Sequence, residues 1–144
     1  MSCDLLIRDV LLAERGGERC DIALAGGSIL AVGSGLEGPA RAGSVDSTFR
    51  GEIDGRGLIA FPGLVDAHVH FNDPGRDHWE GARTGSLALA AGGATCYADM
   101  PLNSHPPTLT RAAFRAKRER LEERSIIDFA LWGGLTPSNL NCLE

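Results

Sequence analysis

Two histidines separated by a single residue close the run Phe61-Pro62-Gly63-Leu64-Val65-Asp66-Ala67-His68-Val69-His70. Read as a β-strand, whose side chains alternate between faces, the run places Leu64, Asp66, His68 and His70 on one side. Val65, Ala67 and Val69 fall on the other, a small and branched set suited to lie under a layer of helices. At a rise of about 3.3 Å per residue the two imidazoles stand roughly 7 Å apart along the strand. Neutral imidazoles on one face can converge on a single metal ion, with Asp66 one step deeper. The same pair also describes two solvated histidines on an ordinary strand. The elements around it must decide.

Downstream of Phe61-Pro62-Gly63 the pattern is strand then helix. Asn72-Asp73-Pro74-Gly75 is a turn, with proline pre-setting φ and glycine free to take φ > 0. A helix is expected from about Trp79 to Ala91, with Asp77 and Glu80 spaced as a capping box and Gly92-Gly93 as its stop. Ala94 to Ala98 reads as a second strand and 99–108 as a proline-containing loop. Thr110 can cap a second helix reaching about Arg124, with Phe114 and Leu121 seven apart on one face. Ile126 to Trp132 is a third strand, followed by Gly133-Gly134 and a cap-like Pro137-Ser138. Strand, helix, strand, helix, strand at this spacing predicts parallel β-structure. In such folds active groups collect beyond the carboxyl ends of the strands, where His68, His70 and the two loops lie.

Upstream, short strands alternate with glycine turns: 4–12, a turn at Gly16-Gly17, then 21–24 and 28–32 around Gly26-Gly27. Residues 33–51, rich in Gly, Ser and Ala, read as loop, and Ile53 to Ile59 as a hairpin-like pair. The expected organisation is a small β domain over 1–60 and an α/β segment over 61–144. No catalytic cluster stands out in the first. The 144 residues are 43% hydrophobic and 23% charged with a net charge of −5, a soluble globular balance that disfavours nucleic acid and anionic membranes as partners. Cys3, Cys20, Cys96 and Cys142 form no C-x-x-C pair, which argues against a thiolate zinc site and for free thiols in a cytoplasmic setting. Asp4 and Arg8 interrupt the first apolar run, so neither a signal peptide nor a membrane span is read there.

Gly63 to His70 resembles the D-x-H-x-H signature that opens the barrel of the amidohydrolase superfamily. Phe71-Asn72-Asp73-Pro74-Gly75-Arg76, Trp79-Glu80-Gly81, Ala91-Gly92-Gly93-Ala94-Thr95, Asp99-Met100-Pro101-Leu102-Asn103-Ser104, Pro106-Pro107-Thr108 and Trp132-Gly133-Gly134-Leu135 are similar to allantoinases among the cyclic amidohydrolases. Dihydroorotases resemble the chain too, but usually carry arginine where Asn72 stands and a shorter Met-Pro-Asn-Thr loop; that arginine would be the bidentate partner of an orotate-type carboxylate. The resemblance implies the N-terminal part of a composite β-sandwich, then the first three strands of a truncated TIM-type (β/α)8 metal-dependent hydrolase barrel. It implies hydrolysis of a cyclic amide, allantoin to allantoate, with two divalent ions, often zinc, that activate water and polarise the scissile carbonyl. His68 and His70 would hold one ion.

The family's other ligands are a carboxylated lysine, two further histidines and an aspartate that shuttles protons. The single lysine, Lys117, falls on a charged helix rather than a strand end, so no bridging lysine and no general base are assigned here. The isolated chain is accordingly expected to be inactive and, with open strand edges, prone to aggregate. A full-length form is expected to be a homo-oligomer, a homotetramer by analogy, acting on a small ureide. Asn72 and Asn103 are the substrate-binding candidates, although asparagine beside proline in turns is common on conformational grounds. Asp66 suits the metal site or a carboxylate ordering the barrel floor, and Glu80 a helix cap. Arg76 suits pairing with a loop carboxylate or contact with substrate, and Asp99 bracing of its loop. His78 and His105 read as surface residues, and the Arg111–Arg124 charges as a solvated helix face. The alternatives are a dihydroorotase- or dihydropyrimidinase-like activity, or a non-catalytic module that keeps the fold.

Overall fold

The computed structural model describes residues 3–38 and 51–142. Most of the stretch expected as loop between 33 and 51 therefore lies outside the described residues. The chain divides into two compact units, Met1–Pro62 and Gly63–Glu144.

The first unit is a mixed sheet. Strands β1 (Leu5–Leu12), β2 (Arg19–Ala25) and β3 (Ser28–Gly33) pair antiparallel in succession, with Gly26 and Gly27 both at positive φ in the tight turn between β2 and β3. Strands β4 (Gly51–Asp54) and β5 (Ile59–Ala60) do not form the expected hairpin. Both run parallel to β1, pairing with its first and last parts. The cause is a bulge in β1 between Ile7 and Val10, where Asp9 takes φ +51°. Gly55 tucks its N–H onto Arg8 O (2.7 Å) at that point, and a Cβ there would sit 2.5 Å from the same oxygen. The chain thus steps along β1 instead of folding back on itself. Asp21 Oδ1 accepts the Asp9 N–H (3.1 Å), the main reason its carboxyl is held below the usual carboxylate range. Leu6, Ala23 and Cys3 form one small core, and Val10, Cys20 and Ile22 another.

The second unit is a parallel sheet in the order β6 (Leu64–Val69), β7 (Ala94–Asp99), β8 (Asp128–Leu131), connected through helices as the sequence predicts. The first connection carries two helices rather than one. Helix α1 (Asp77–Glu80) stops at Gly81, which is extended at φ −93°, ψ 171°, and α2 runs over Ala82–Ala91. The Asp77/Glu80 capping box is absent. Instead Asp73, fully buried, accepts the Ala82 N–H at Oδ2 (3.0 Å) and so supplies the N-terminal acceptor of α2 from nine residues upstream. Thr110 does cap helix α3 (Arg111–Arg124), its Oγ1 accepting the Ala113 N–H (3.2 Å).

The buried stripe of α3 is Ala113, Lys117 and Leu121, while Phe114 remains 37% exposed. The expected Phe114–Leu121 face is therefore rotated. Nor are the α3 charges uniformly solvated: Lys117 is buried, and Arg120 and Arg124 reach Asp73 at 3.2 and 3.3 Å. Phe71, Ala82, Tyr97 and Leu121 make the core, with the Phe71 and Tyr97 rings edge to face at 4.9 Å between centroids. Of the three β6 residues expected under helices, Val69 packs on this core, but Val65 is 67% exposed and Ala67 is also exposed. An open groove of about 640 Å³ runs beside α2 past Val65, Phe71 and Leu89. Among the described residues no helix is long and apolar enough to cross a membrane.

Candidate metal centre

His68 and His70 come together at the carboxyl end of β6. Their Nε2 atoms are 3.2 Å apart, with ring centroids separated by 5.2 Å. Both are exposed, so neither is a core histidine satisfied by packing. With metal–nitrogen bonds of about 2.1 Å, a 3.2 Å separation subtends about 100° at one ion, within the range of tetrahedral sites. The pair therefore fits as two donors to a divalent ion. Among the described residues no cluster of three or more His, Cys, Asp or Glu surrounds such a point. The described residues supply two donors there.

The backbone beneath the pair is held from several sides. Asp66 Oδ1 accepts the His68 N–H (3.1 Å), and the Trp132 indole N–H donates to Ala67 O (3.1 Å) on the same peptide plane. Asp66 thus orders the strand end rather than joining the imidazoles, and the β6–β7 register shifts between Asp66 and Val69. The Met100 N–H donates to Val69 O (2.8 Å), and the Phe71 N–H donates to Asp99 Oδ1 (3.0 Å). Asp99 is buried beside Lys117, whose Nζ lies 3.0 Å from Oδ2 and donates to Met100 O at 2.9 Å. Burial pushes the Asp99 carboxyl above the usual range, with Lys117 and the Phe71 N–H opposing that shift.

The other candidates are dispersed over the two loops. Asn72 is buried: Nδ2 donates to Glu80 O (3.1 Å), while Oδ1 has no partner among the described residues. Glu80 serves through this carbonyl and caps no helix with its side chain. Asn103 is exposed at φ +75°, a left-handed position that asparagine tolerates better than most residues. Among the described residues Arg76 finds no loop carboxylate; it stacks over the Trp79 ring, 5.4 Å from its centroid. His78 and His105 are exposed. The residues that sequence reasoning passed over are Asp73, Lys117, Arg120 and Arg124. The available signal was the i, i+4, i+8 spacing of Ala113, Lys117 and Leu121, which puts the single lysine on the stripe that must face the sheet.

A match to the amidohydrolase family spans residues 59–141. This chain belongs to the amidohydrolase family. It is 50% identical over 145 residues to an allantoinase of Deinococcus radiodurans, a match covering 100% of this chain and 30% of that protein. To an allantoinase of Solibacter usitatus it is 50% identical over 139 residues, covering 96% and 28%. Among solved structures it is similar to the L-hydantoinase (dihydropyrimidinase) from Arthrobacter aurescens, with a TM-score of 0.78 and 31% identity over 99% of this chain and 30% of that one. A dihydroorotase aligns with a TM-score of 0.55 and 26% identity, over 90% and 30%. The fold is thus the α/β amidohydrolase fold, and this chain spans about 30% of the length of the curated relatives it matches.

Proposed function

We propose that this chain forms the opening portion of a metal-dependent hydrolase that opens a cyclic amide, with allantoin as substrate and allantoate as product. In this reading the second unit is the first three strands of a (β/α)8 barrel, and His68 and His70 are two protein ligands of a divalent ion, zinc by preference. The observation that carries it is the convergence of the two Nε2 atoms at 3.2 Å on an exposed strand end. When bound there, a divalent ion supplies a water of lowered pKa and a Lewis acid for the scissile carbonyl. The protein's own contribution is to fix the two imidazoles through Asp66, Trp132, Met100 and Asp99, so that little reorganisation accompanies binding.

The loops after β6 and β7 are the natural place for substrate selection. Asn72 is buried, with an Oδ1 that has no partner among the described residues and that suits the N–H donors of a ureide ring, and Asn103 lies exposed on the second loop. Neither loop residue is the arginine that a carboxylate-bearing dihydropyrimidine would call for, and this favours allantoin over dihydroorotate. The remaining ligands and the general base are contributed from outside these 144 residues.

The test is a chimera in which this chain replaces the matching 145 residues of the Deinococcus radiodurans relative. Ring opening of allantoin, dihydroorotate and hydantoin would be followed in parallel. The expected result is turnover of allantoin above the other two, lost on His68→Ala or His70→Ala. A folded chimera that binds zinc but prefers dihydroorotate or hydantoin would overturn the substrate assignment.

A further inference from the structure

We propose that Lys117 is a positioning residue for the histidine pair, acting through Asp99 to fix both peptide planes on either side of His70. The inference rests on the reading of His68 and His70 as metal ligands, and it concerns a residue that the pattern of the chain places on a helix, away from any strand end. One plane, between Val69 and His70, is pinned by the Met100 N–H on Val69 O at 2.8 Å. The other, between His70 and Phe71, is pinned by Asp99 Oδ1, which accepts the Phe71 N–H at 3.0 Å. Two pinned planes determine φ and ψ of His70, and hence the direction in which its Cα–Cβ bond points. Both pinning groups come from the consecutive residues Asp99 and Met100.

Lys117 is ion-paired with the first of these residues and hydrogen-bonded to the second. Its Nζ lies 3.0 Å from Asp99 Oδ2 and 2.9 Å from Met100 O. The side chains of Lys117 and Asp99 are 1% and 0% exposed. Without the ammonium, a carboxylate so deeply buried would turn toward water and away from the Phe71 N–H. The ammonium keeps Asp99 an acceptor in place and ties the β7 end to α3. Lys117 touches neither imidazole in this arrangement; it sets the support on which one of them stands.

The experiment follows Zn2+ binding to the 144-residue chain through the imidazole nitrogen resonances, together with amide hydrogen exchange at Phe71 and Met100. In Lys117→Met the affinity should fall by about 10–100-fold, the usual cost of removing support behind a metal ligand. Exchange should accelerate at Phe71 and Met100 more than at Tyr97 and Ala98 within β7. Adding Asp99→Asn, which restores a neutral acceptor for the Phe71 N–H, should return both readouts toward the parent values. Adding Asp99→Leu, with the same branching and number of side-chain heavy atoms but without an acceptor, should not. If Lys117→Met alone fails to fold, the contrast between these two charge-free double variants carries the test.

Equal affinity and equal Phe71 exchange in the Asn and Leu double variants would overturn the proposal, as would a folded Lys117→Met that matches the parent in both. Zn2+ binding that survives His68→Ala and His70→Ala would defeat the metal reading instead. In that event the exchange at Phe71 and Met100 still decides whether Lys117 and Asp99 hold the backbone around residue 70.

Discussion

Asp73 carries three roles that the sequence divides among other residues. It supplies the acceptor for the first turn of α2, and it pairs with both Arg120 and Arg124. Its local setting, Asn-Asp-Pro-Gly, announces only a turn, because the arginines that bond it lie 47 and 51 residues away. Lys117 was legible as a member of the buried α3 stripe, but its partners Asp99 and Met100, 18 and 17 residues away, were not. By contrast, His68 and His70 were legible at once, since the two-residue period of a strand is a local property and needs no knowledge of partners.

The single tyrosine, Tyr97, makes burial measurable at this scale. Its fully buried hydroxyl has no hydrogen-bond partner among the described residues. The neighbouring Ser125 hydroxyl instead donates to Ile127 O at 2.6 Å. Burial is the main cause that pushes the phenol up to about 12, with Asp99 and Asp73 adding to it and Ser125 opposing. The folded form therefore holds the proton more tightly than the unfolded chain, whose phenol titrates near 10. Stability from this group is complete below about pH 10 and is lost as pH rises toward about 12. Ultraviolet titration should show phenolate appearing only together with unfolding. A reversible transition near pH 10 in the folded chain would contradict the burial described.

At the scale of elements, the order strand–helix–strand–helix–strand was readable because hydrophobic period and glycine stops agree. Two details were not. Gly81 divides the first connection into α1 and α2, yet the apolar spacing runs across it, so the pattern alone predicts one helix. The Gly55-Arg56-Gly57 turn has hairpin chemistry, but the bulge at Asp9 redirects β4 and β5 onto β1. Gly85 marks the closest approach of α2 to the core: a Cβ there would overlap the Phe71 ring. In an exposed helix Gly→Ala is favourable by about 1 kcal/mol. At Gly85 the sign should reverse, with Gly85→Ala costing about 1–3 kcal/mol through overpacking. Urea unfolding measures this, and a stabilised variant would show that α2 does not seat on Phe71 as described.

For the molecule as a whole, two independently packed units and about 30% of the length of its relatives frame what the chain can do. The sequence places two imidazoles on one face of a strand, and the structure brings their Nε2 atoms to 3.2 Å and adds backbone supports around them. Cooperation of the two histidines toward one ion is the claim on which the functional reading stands. It is tested most directly by titrating Zn2+ into the 144-residue chain while recording the imidazole nitrogens of all four histidines. The Nε2 resonances of His68 and His70 should shift together along one saturation curve, while those of His78 and His105 stay in place. A response from only one of the pair, or equal responses from all four, would contradict it.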